Sequence, residues 1–176
     1  MNFEHYTVAP QNTLPQEIRE YIVRKADSIL GRLYEYNFLI LPANVVKKEE
    51  LEEIRKRIKE LKEQSYRIFL ETIEVKRRRV LGFSKNIKYL VIVNLSGSYT
   101  AGDIVEFYTE VVRKFSKKEK PIVVHIHGVN PGPTLSDYEW AAEIEKAGGI
   151  LLFAYNQNIY KLPGRERIYG KDRTVE

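Results

Sequence analysis

The chain has 176 residues, 30% of them charged and 43% hydrophobic, with a formal net charge of +5 at pH 7. The absence of cysteine excludes disulfide bonds, thiolate metal ligands and cysteine nucleophiles. There is no apolar run of about 18 residues and no secretory signal, so we expect a cytoplasmic protein without a membrane-spanning helix. A composition rich in Lys, Arg and Glu and poor in Cys and Met is typical of hyperthermophile proteins.

The first predicted element is a long amphipathic helix that spans Pro15–Tyr36. Thr13 and Gln16 have the spacing of a capping box, in which the Gln side chain reaches back to the Thr amide. Apolar residues then recur at three- and four-residue steps, as in a helix that buries one face. They are Ile18, Tyr21, Ile22, Ala26, Ile29, Leu30 and Leu33.

Two further elements follow in the amino-terminal half. Phe38–Leu41 is short and apolar and stops before Pro42, which predicts a strand or a buried linker. From Lys47 onward, four apolar residues at helical spacing predict a second helix with one narrow apolar stripe. The stripe has two interpretations: an arm through which two copies of the chain form a homo-oligomer, or a surface that packs against the first helix. Its residues are Leu51, Ile54, Ile58 and Leu61.

Residues 66–80 show both a helical period and β-branched content, so helix and strand stay open there. Glu74-Val-Lys76 resembles the ExK element of PD-(D/E)xK nucleases, which implies a carboxylate that binds Mg²⁺ and a lysine that stabilises phosphate charge. That fold also uses an acidic residue on the preceding strand, where this chain offers only glutamate. The same segment ends in an unbroken basic run, which predicts a nucleic-acid contact through Lys76, Arg77, Arg78 and Arg79.

From Lys88 to Asn156 the chain alternates between strand-like and helix-like segments. Three apolar strands separated by two amphipathic helices are the pattern of right-handed crossovers onto a parallel sheet. We therefore expect an α/β fold of three layers, with a mainly parallel sheet and crossover helices, plus an amino-terminal helical hairpin. In this prediction residues 1–80 form the helical region, and residues 81–176 form an α/β region packed on it as one unit.

The strand exits are the expected place for a site, because parallel sheets bind ligands beyond the carboxyl ends of their strands. The first exit is a loop of small residues that leads into a helix with Asp103 in its first turn, and the free amides of a helix start favour anions. The second exit is rich in Gly and Pro. Together they predict a crevice that binds a small anionic ligand through Asn94, Ser96, Gly97, Ser98, Thr100, Gly128 and Asn130.

The second exit also carries His125 and His127, which are two residues apart on a strand and therefore share one face. Two imidazoles in this arrangement are candidate ligands of a divalent metal ion, with a third ligand from Asp103, Asp137 or Glu139. Either imidazole is also a candidate general base. Metal hydrolases such as the amidohydrolases have a similar HxH strand, but their barrel needs many more residues than this chain has.

Thr134 and Ser136 are the candidate nucleophiles of a hydrolytic site at this exit. Ser136–Glu139 also has the spacing of a capping box, which gives Ser136 a structural interpretation. The sequence contains no complete set of nucleophile, base and orienting group, and this favours ligand binding over turnover.

Parts of residues 89–154 resemble two protein superfamilies. NLSGSYTAG at residues 94–102 resembles the oxyanion-hole loop of Clp-type serine proteases, and GPTL at 132–135 with AAEI at 141–144 is similar to the nucleophile segment of related membrane and signal-peptide peptidases. In that superfamily, which includes the crotonases, a serine nucleophile stands where this chain has Pro131. The resemblance therefore implies a relative that lacks the protease chemistry or uses Thr134 or Ser136.

A second resemblance is to the flavodoxin-like ligase domain of succinyl-CoA synthetase relatives. It is carried by VIVNLSG, KPIVVHIHGVNPG and EIEKAGGILL, while the GHAG-type loop with that family's phosphorylated histidine is missing here.

Two functions stay open at this point, besides the PD-(D/E)xK-like nuclease that the ExK resemblance implies. One is an α/β domain that binds a small anionic ligand in the crevice, or a hydrolase that has lost part of its machinery. The other is a non-enzymatic nucleic-acid-associated or assembly protein with a helical dimerisation arm. In the second, Lys76–Arg79 would contact phosphates together with basic residues of the tail, namely Arg165, Arg167, Lys171 and Arg173.

Overall fold

The structure is a computed structural model that describes residues 7–10, 13–33, 35–78, 84–96, 102–129, 132–155 and 157–162. Its strands form one seven-stranded sheet in the order β1-β7-β6-β5-β2-β4-β3. The elements in chain order are β1 (Thr7–Val8), α1 (Gln16–Ile29), β2 (Glu35–Pro42), α2 (Lys48–Glu63), β3 (Ile68–Arg78), β4 (Ser84–Asn94), α3 (Gly102–Phe115), β5 (Ile122–His127), α4 (Leu135–Ala147), β6 (Ile150–Tyr155) and β7 (Asn158–Lys161).

The sheet is mixed and mostly antiparallel. Among the described residues, only the pairing of β5 with β6 is parallel. The prediction of an α/β fold is confirmed, but the prediction of a mainly parallel sheet is wrong. The reason is that β2, a strand from the amino-terminal half, lies antiparallel between β4 and β5.

The strands β4, β5 and β6 nevertheless run in one direction, because β4 and β5 are both antiparallel to β2 and β5 is parallel to β6. Their carboxyl ends lie side by side at the same end of the strands, as predicted from the alternating pattern. We call this end of the sheet the rim. The start of β2 lies at the rim as well, since Glu35 pairs with His127, and Asn37 pairs with both His125 and Asn94.

Helices cover both faces of the sheet and produce three layers. Ile18, Ile22 and Ile29 of α1 are buried on one face, in a core that includes Phe38. The helices α2, α3 and α4 pack on the other face, in a core that includes Leu39. The predicted helical hairpin is therefore wrong, because α1 and α2 lie on opposite faces of the sheet. Phe38 and Leu39, successive residues of β2, point to the two opposite cores.

The apolar stripe of α2 packs against the sheet. Ile54, Ile58 and Leu61 are at most 5% exposed and belong to the core beneath α2, α3 and α4, and Leu51 packs against the same core. These side chains are occupied within the chain itself. The predicted contact with the first helix is therefore wrong, whereas a contact between two copies of the chain stays a prediction.

The first helix is shorter than predicted. It ends at Ile29, and Gly31 adopts a left-handed φ of 79°, which glycine tolerates without steric cost. The Gly31 amide donates a hydrogen bond of 2.6 Å to the carbonyl of Gly128. Residues 35 and 36 consequently begin β2 instead of ending a helix.

The structure also decides two local predictions on the amino-terminal half, the cap of the first helix and the conformation of residues 66–80. The residue before α1 is Pro15, with no side-chain cap, and Gln16 donates to Glu20 instead of capping at Thr13. The ambiguous residues 66–80 contain the strand β3 (Ile68–Arg78).

Among the described residues, no helix is both long and apolar enough to cross a membrane.

Candidate metal centre

Three potential metal ligands meet at the rim: Glu35 from the start of β2, and His125 and His127 from the end of β5. One ligand atom of each side chain lies within 4.8 Å of the other two. Strand register explains the meeting, because Glu35 lies opposite His127, and the two histidines share one face. Both histidines are buried, and the Glu35 side chain is 21% exposed.

Asp137, in the first turn of α4, faces this group from the helix layer. Its Oδ1 lies 3.4 Å from Nε2 of His125, and its Oδ2 lies 3.4 Å from Nε2 of His127. Oε2 of Glu35 lies 3.6 Å from the same His125 nitrogen. Two carboxylates therefore converge on two imidazole nitrogens where little water reaches them.

The start of α4 holds Asp137 in place. The backbone amide of Thr134 donates to Asp137 Oδ2 at 2.7 Å, and the Thr134 hydroxyl donates to the same oxygen at 3.0 Å. Burial by itself raises the pKa of Asp137, but the hydrogen bonds from His127 and from the Thr134 amide help to outweigh burial and lower that pKa overall. Asp137 is therefore an anion at neutral pH.

His127 has one ring nitrogen committed to the backbone. Its Nδ1 lies 3.2 Å from the carbonyl oxygen of Gly132, which can only accept a hydrogen bond, so Nδ1 carries a proton. In the neutral ring Nε2 is then a lone-pair donor, the arrangement that orients histidines toward metal ions. Since Nε2 faces the Asp137 carboxylate, the contact calls for a cation between them or a second ring proton.

His125 is enclosed by aromatic rings. Its ring centroid lies 4.6 Å from that of His127, 5.6 Å from that of Trp140 and 6.0 Å from that of Phe153. This burial lowers the pKa of His125 to about 4, so the ring is neutral at pH 7. Among the described residues, its Nδ1 has no hydrogen-bond partner.

Glu35 is the third titratable group of the cluster. Burial raises its pKa to about 7, the charge of His127 opposes the rise, and the nearby charge of Asp137 adds to it. The negative charge of Asp137 therefore disfavours the ionised form of Glu35. A divalent cation between them would remove this penalty.

Asp137 is the predicted third ligand that meets the histidines. By contrast, Asp103 in the first turn of α3 accepts a hydrogen bond of 3.0 Å from the hydroxyl of Tyr66. The structure thus distinguishes Asp137 from Asp103, two of the three carboxylates that the sequence presented as alternatives.

The two candidate nucleophiles lie beside the cluster on exposed positions. The Thr134 hydroxyl donates to Asp137 and not to an imidazole. Ser136 is exposed in the first turn of α4. The N-cap residue of α4 is Thr134 and not Ser136. The predicted capping box at Ser136–Glu139 is therefore wrong by two residues. Nucleophilic attack by Thr134 or Ser136 stays a prediction.

The predicted anion-binding residues are only partly described. Asn94 is buried at the end of β4 and its Oδ1 accepts a hydrogen bond from the Ser96 hydroxyl, whose oxygen accepts one from the Arg67 amide. Asn94 shares a sheet face with His125, but β2 separates them by about 10 Å. The Gly128 carbonyl is used by Gly31. Gly97, Ser98, Thr100 and Asn130 lie outside the described residues.

The predicted nucleic-acid and nuclease residues lie far from the rim. Lys76 and Arg77 are exposed near the end of β3, and Arg77 donates to the Tyr89 hydroxyl at 2.8 Å. Arg79 and the side chain of Arg78 lie outside the described part of the chain. Glu74 pairs with Lys88 in register, whereas Glu35, the acid on β2, lies at the opposite end of the sheet. The carboxylate pair implied by the nuclease resemblance is therefore not brought together here.

Glu35 is the candidate ligand that the sequence pattern missed, because it fell inside the predicted first helix. Gly31 was the available signal, since a glycine four residues earlier is a common helix end. After it, Glu35 and Asn37 alternate with Tyr36 and Phe38, which is the period of a strand. The pairing that brings Glu35 to the histidines is not encoded in this local pattern.

Comparisons of the chain with protein families, with curated proteins and with solved structures found no match. The resemblances to the Clp and crotonase superfamily and to the ligase domain of succinyl-CoA synthetase relatives therefore stay predictions.

Proposed function

We propose that this protein binds a divalent transition-metal ion at the rim through Glu35, His125 and His127, and that the ion holds a small anionic ligand at an open coordination position. The observation that carries the proposal is the convergence of one ligand atom from each of these side chains within 4.8 Å, in a largely buried place.

The donor set matches known metal chemistry. Two imidazoles and one carboxylate are the protein ligands of many catalytic zinc sites, which keep a fourth position for water or substrate, and of non-haem iron sites. Donors about 2.1 Å from a tetrahedral zinc ion lie about 3.4 Å apart, so the three side chains would close in when the ion binds.

Asp137 gives the site a reaction class. It is held by Thr134 and lies within 3.4 Å of both Nε2 atoms, so it would stand beside a water molecule on the ion. A carboxylate next to a metal-bound water is the arrangement of metal-assisted hydrolysis, in which the ion lowers the pKa of the water. Hydrolysis of a small anionic substrate is therefore the activity that this site would support.

Metal titration tests the proposal directly. The protein is freed of metal with a chelator, Zn²⁺ binding is measured by calorimetry, and Co²⁺ binding by visible absorption. We expect one ion per chain with the intense absorption of a tetrahedral cobalt site. The double variant His125→Ala/His127→Ala should lose more than about 100-fold in affinity, since loss of outer partners alone costs about 10- to 100-fold.

The chain offers a matched control in His5, its only other histidine. The His5→Ala variant should bind the ion as the parent does. Equal loss in His5→Ala and in the double variant, or no binding by the parent, would refute the metal site. Acetohydroxamate, a small chelating anion, should shift the cobalt spectrum; if it does not, the metal site stands and the anionic ligand is excluded.

A further inference from the structure

A second surface lies away from the rim, between α2 and the outer edge of β3. It is a groove of about 350 Å³, with Arg55, Lys59 and Lys62 on the α2 side and Phe69, Leu70 and Thr72 on the β3 side. We call it the basic groove. Among the described residues that line it there are three cations and no acid.

The three cations form one stripe along α2, because positions separated by three or four residues lie on the same side of a helix. All three are exposed. Arg55 pairs with Glu52 at 3.1 Å, but both side chains are more than half exposed, so the pair is weak and exchangeable. Within the described part of the chain, Lys59 and Lys62 form no salt bridge.

The β3 side of the groove presents unpaired backbone. Among the described strands, β3 lies at one end of the sheet order and pairs only with β4. Its register runs without interruption from Ile68 opposite Asn94 to Arg78 opposite Ser84. Because successive backbone amides of a strand point in opposite directions, the amides of all even-numbered residues of β3 point toward the same side of the strand.

That direction is outward. The Lys76 amide donates away from the sheet, to Oε2 of Glu17 at 2.6 Å, whereas the carbonyl of Arg67 accepts from Leu95 on the β4 side. The amides of Leu70 and Thr72 therefore point out of the sheet into the basic groove. No described residue accepts a hydrogen bond from either amide. At Lys76, by contrast, the outward amide is already paired with the carboxylate of Glu17.

We propose that the basic groove binds an acidic peptide segment of a partner protein in extended conformation. The segment pairs with β3 as an added strand, through Leu70 and Thr72, and its alternate Asp or Glu side chains meet Arg55, Lys59 and Lys62. Alternate side chains of a strand are about 6.6 Å apart and helix positions four apart about 6 Å, so the two charge patterns match. The site is independent of the metal centre.

Two other occupants, a second copy of the chain and the chain's own terminal strands, fit the basic groove less well. A second copy of the chain would bring its own β3 edge with the same cations, and like charges repel. The terminal strands β1 and β7 pair at the opposite edge of the sheet, far from the groove.

A fluorescent peptide of alternating Glu and Val, seven residues long, tests the proposal by anisotropy with the full chain. We expect binding that weakens when salt rises from about 50 mM to about 200 mM. The variant Lys59→Glu/Lys62→Glu should lose at least about tenfold in affinity. The control Lys117→Glu/Lys118→Glu makes the same change in net charge at exposed positions after α3, outside the groove, and should bind as the parent does.

Two further measurements test the strand pairing. The peptide should slow hydrogen exchange at the amides of Leu70 and Thr72. Thr72→Pro, which removes one outward amide without changing charge, should weaken binding at an edge that tolerates proline. Binding without exchange protection, equal loss in the control variant, or tighter binding of an oligothymidine than of the peptide would each overturn the proposal.

Discussion

The rim and the basic groove place charged side chains in opposite environments. At the rim, His125 and Asp137 are buried, and His125 contacts both Asp137 and Glu35. In the basic groove, Lys59 and Lys62 are exposed, and neither forms a salt bridge with a described residue. A buried polar group is costly unless it is paired, whereas an exposed charge costs the fold little. Substitutions at the rim should therefore change stability and binding together, and substitutions in the groove should change binding alone.

The largest effect on stability is expected from Asp137→Asn. The substitution removes a buried charge that accepts hydrogen bonds from the Thr134 amide and hydroxyl and faces both histidines. A hydrogen bond to a charged group contributes about 1.5–3 kcal/mol, and asparagine keeps a neutral oxygen that still accepts from Thr134, so we expect the free energy of unfolding to fall by about 2–3 kcal/mol. Urea unfolding in the presence of a chelator measures it.

Asp103→Asn is the matched control for this prediction. Asp103 also lies in the first turn of a helix, but it is partly exposed and accepts a hydrogen bond from Tyr66. Its loss should cost about 0.5–1 kcal/mol. Equal costs for the two substitutions would mean that burial of Asp137 does not distinguish the rim.

A smaller effect is expected from Tyr108→Phe in the core under the rim. The Tyr108 side chain is fully buried, and its hydroxyl lies 3.1 Å from the Asn37 carbonyl and 3.2 Å from the Ile92 carbonyl, on β2 and β4. Removal of this donor should lower the free energy of unfolding by about 1–1.5 kcal/mol. Tyr66→Phe, at a partly exposed hydroxyl, should cost less in the same urea series; the reverse order would contradict the prediction.

The smallest effect is expected from Lys59→Ala/Lys62→Ala. Exposed positions away from structural contacts usually change stability by less than about 0.5 kcal/mol. The variant should therefore unfold at the urea concentration of the parent while its affinity for the acidic peptide falls. A clear loss of stability would show that these lysines support the fold, and the contrast between groove and rim would fail.

Much of the secondary structure could be predicted because it depends on local periodicity. The spacing of Ile54, Ile58 and Leu61 predicted α2. The apolar run before Pro42 predicted a strand or a buried linker, and the structure has a strand there, β2. Residues 66–80 were ambiguous, because β-branched residues and a helical period coincide there. Their strand conformation depends on eleven consecutive pairings with β4, which no local pattern contains.

The candidate site divides in the same way. The sequence by itself determined that His125 and His127 share a face at a strand exit, and that Asp137 follows in the next helix, because strand and helix periods are local properties of the backbone. Only the tertiary structure decided that β2 enters between β4 and β5 and brings Glu35 opposite His127. That choice depends on which buried surfaces pack best over the whole chain, because β2 packs against a core on each of its two faces and this packing fixes the position of Glu35.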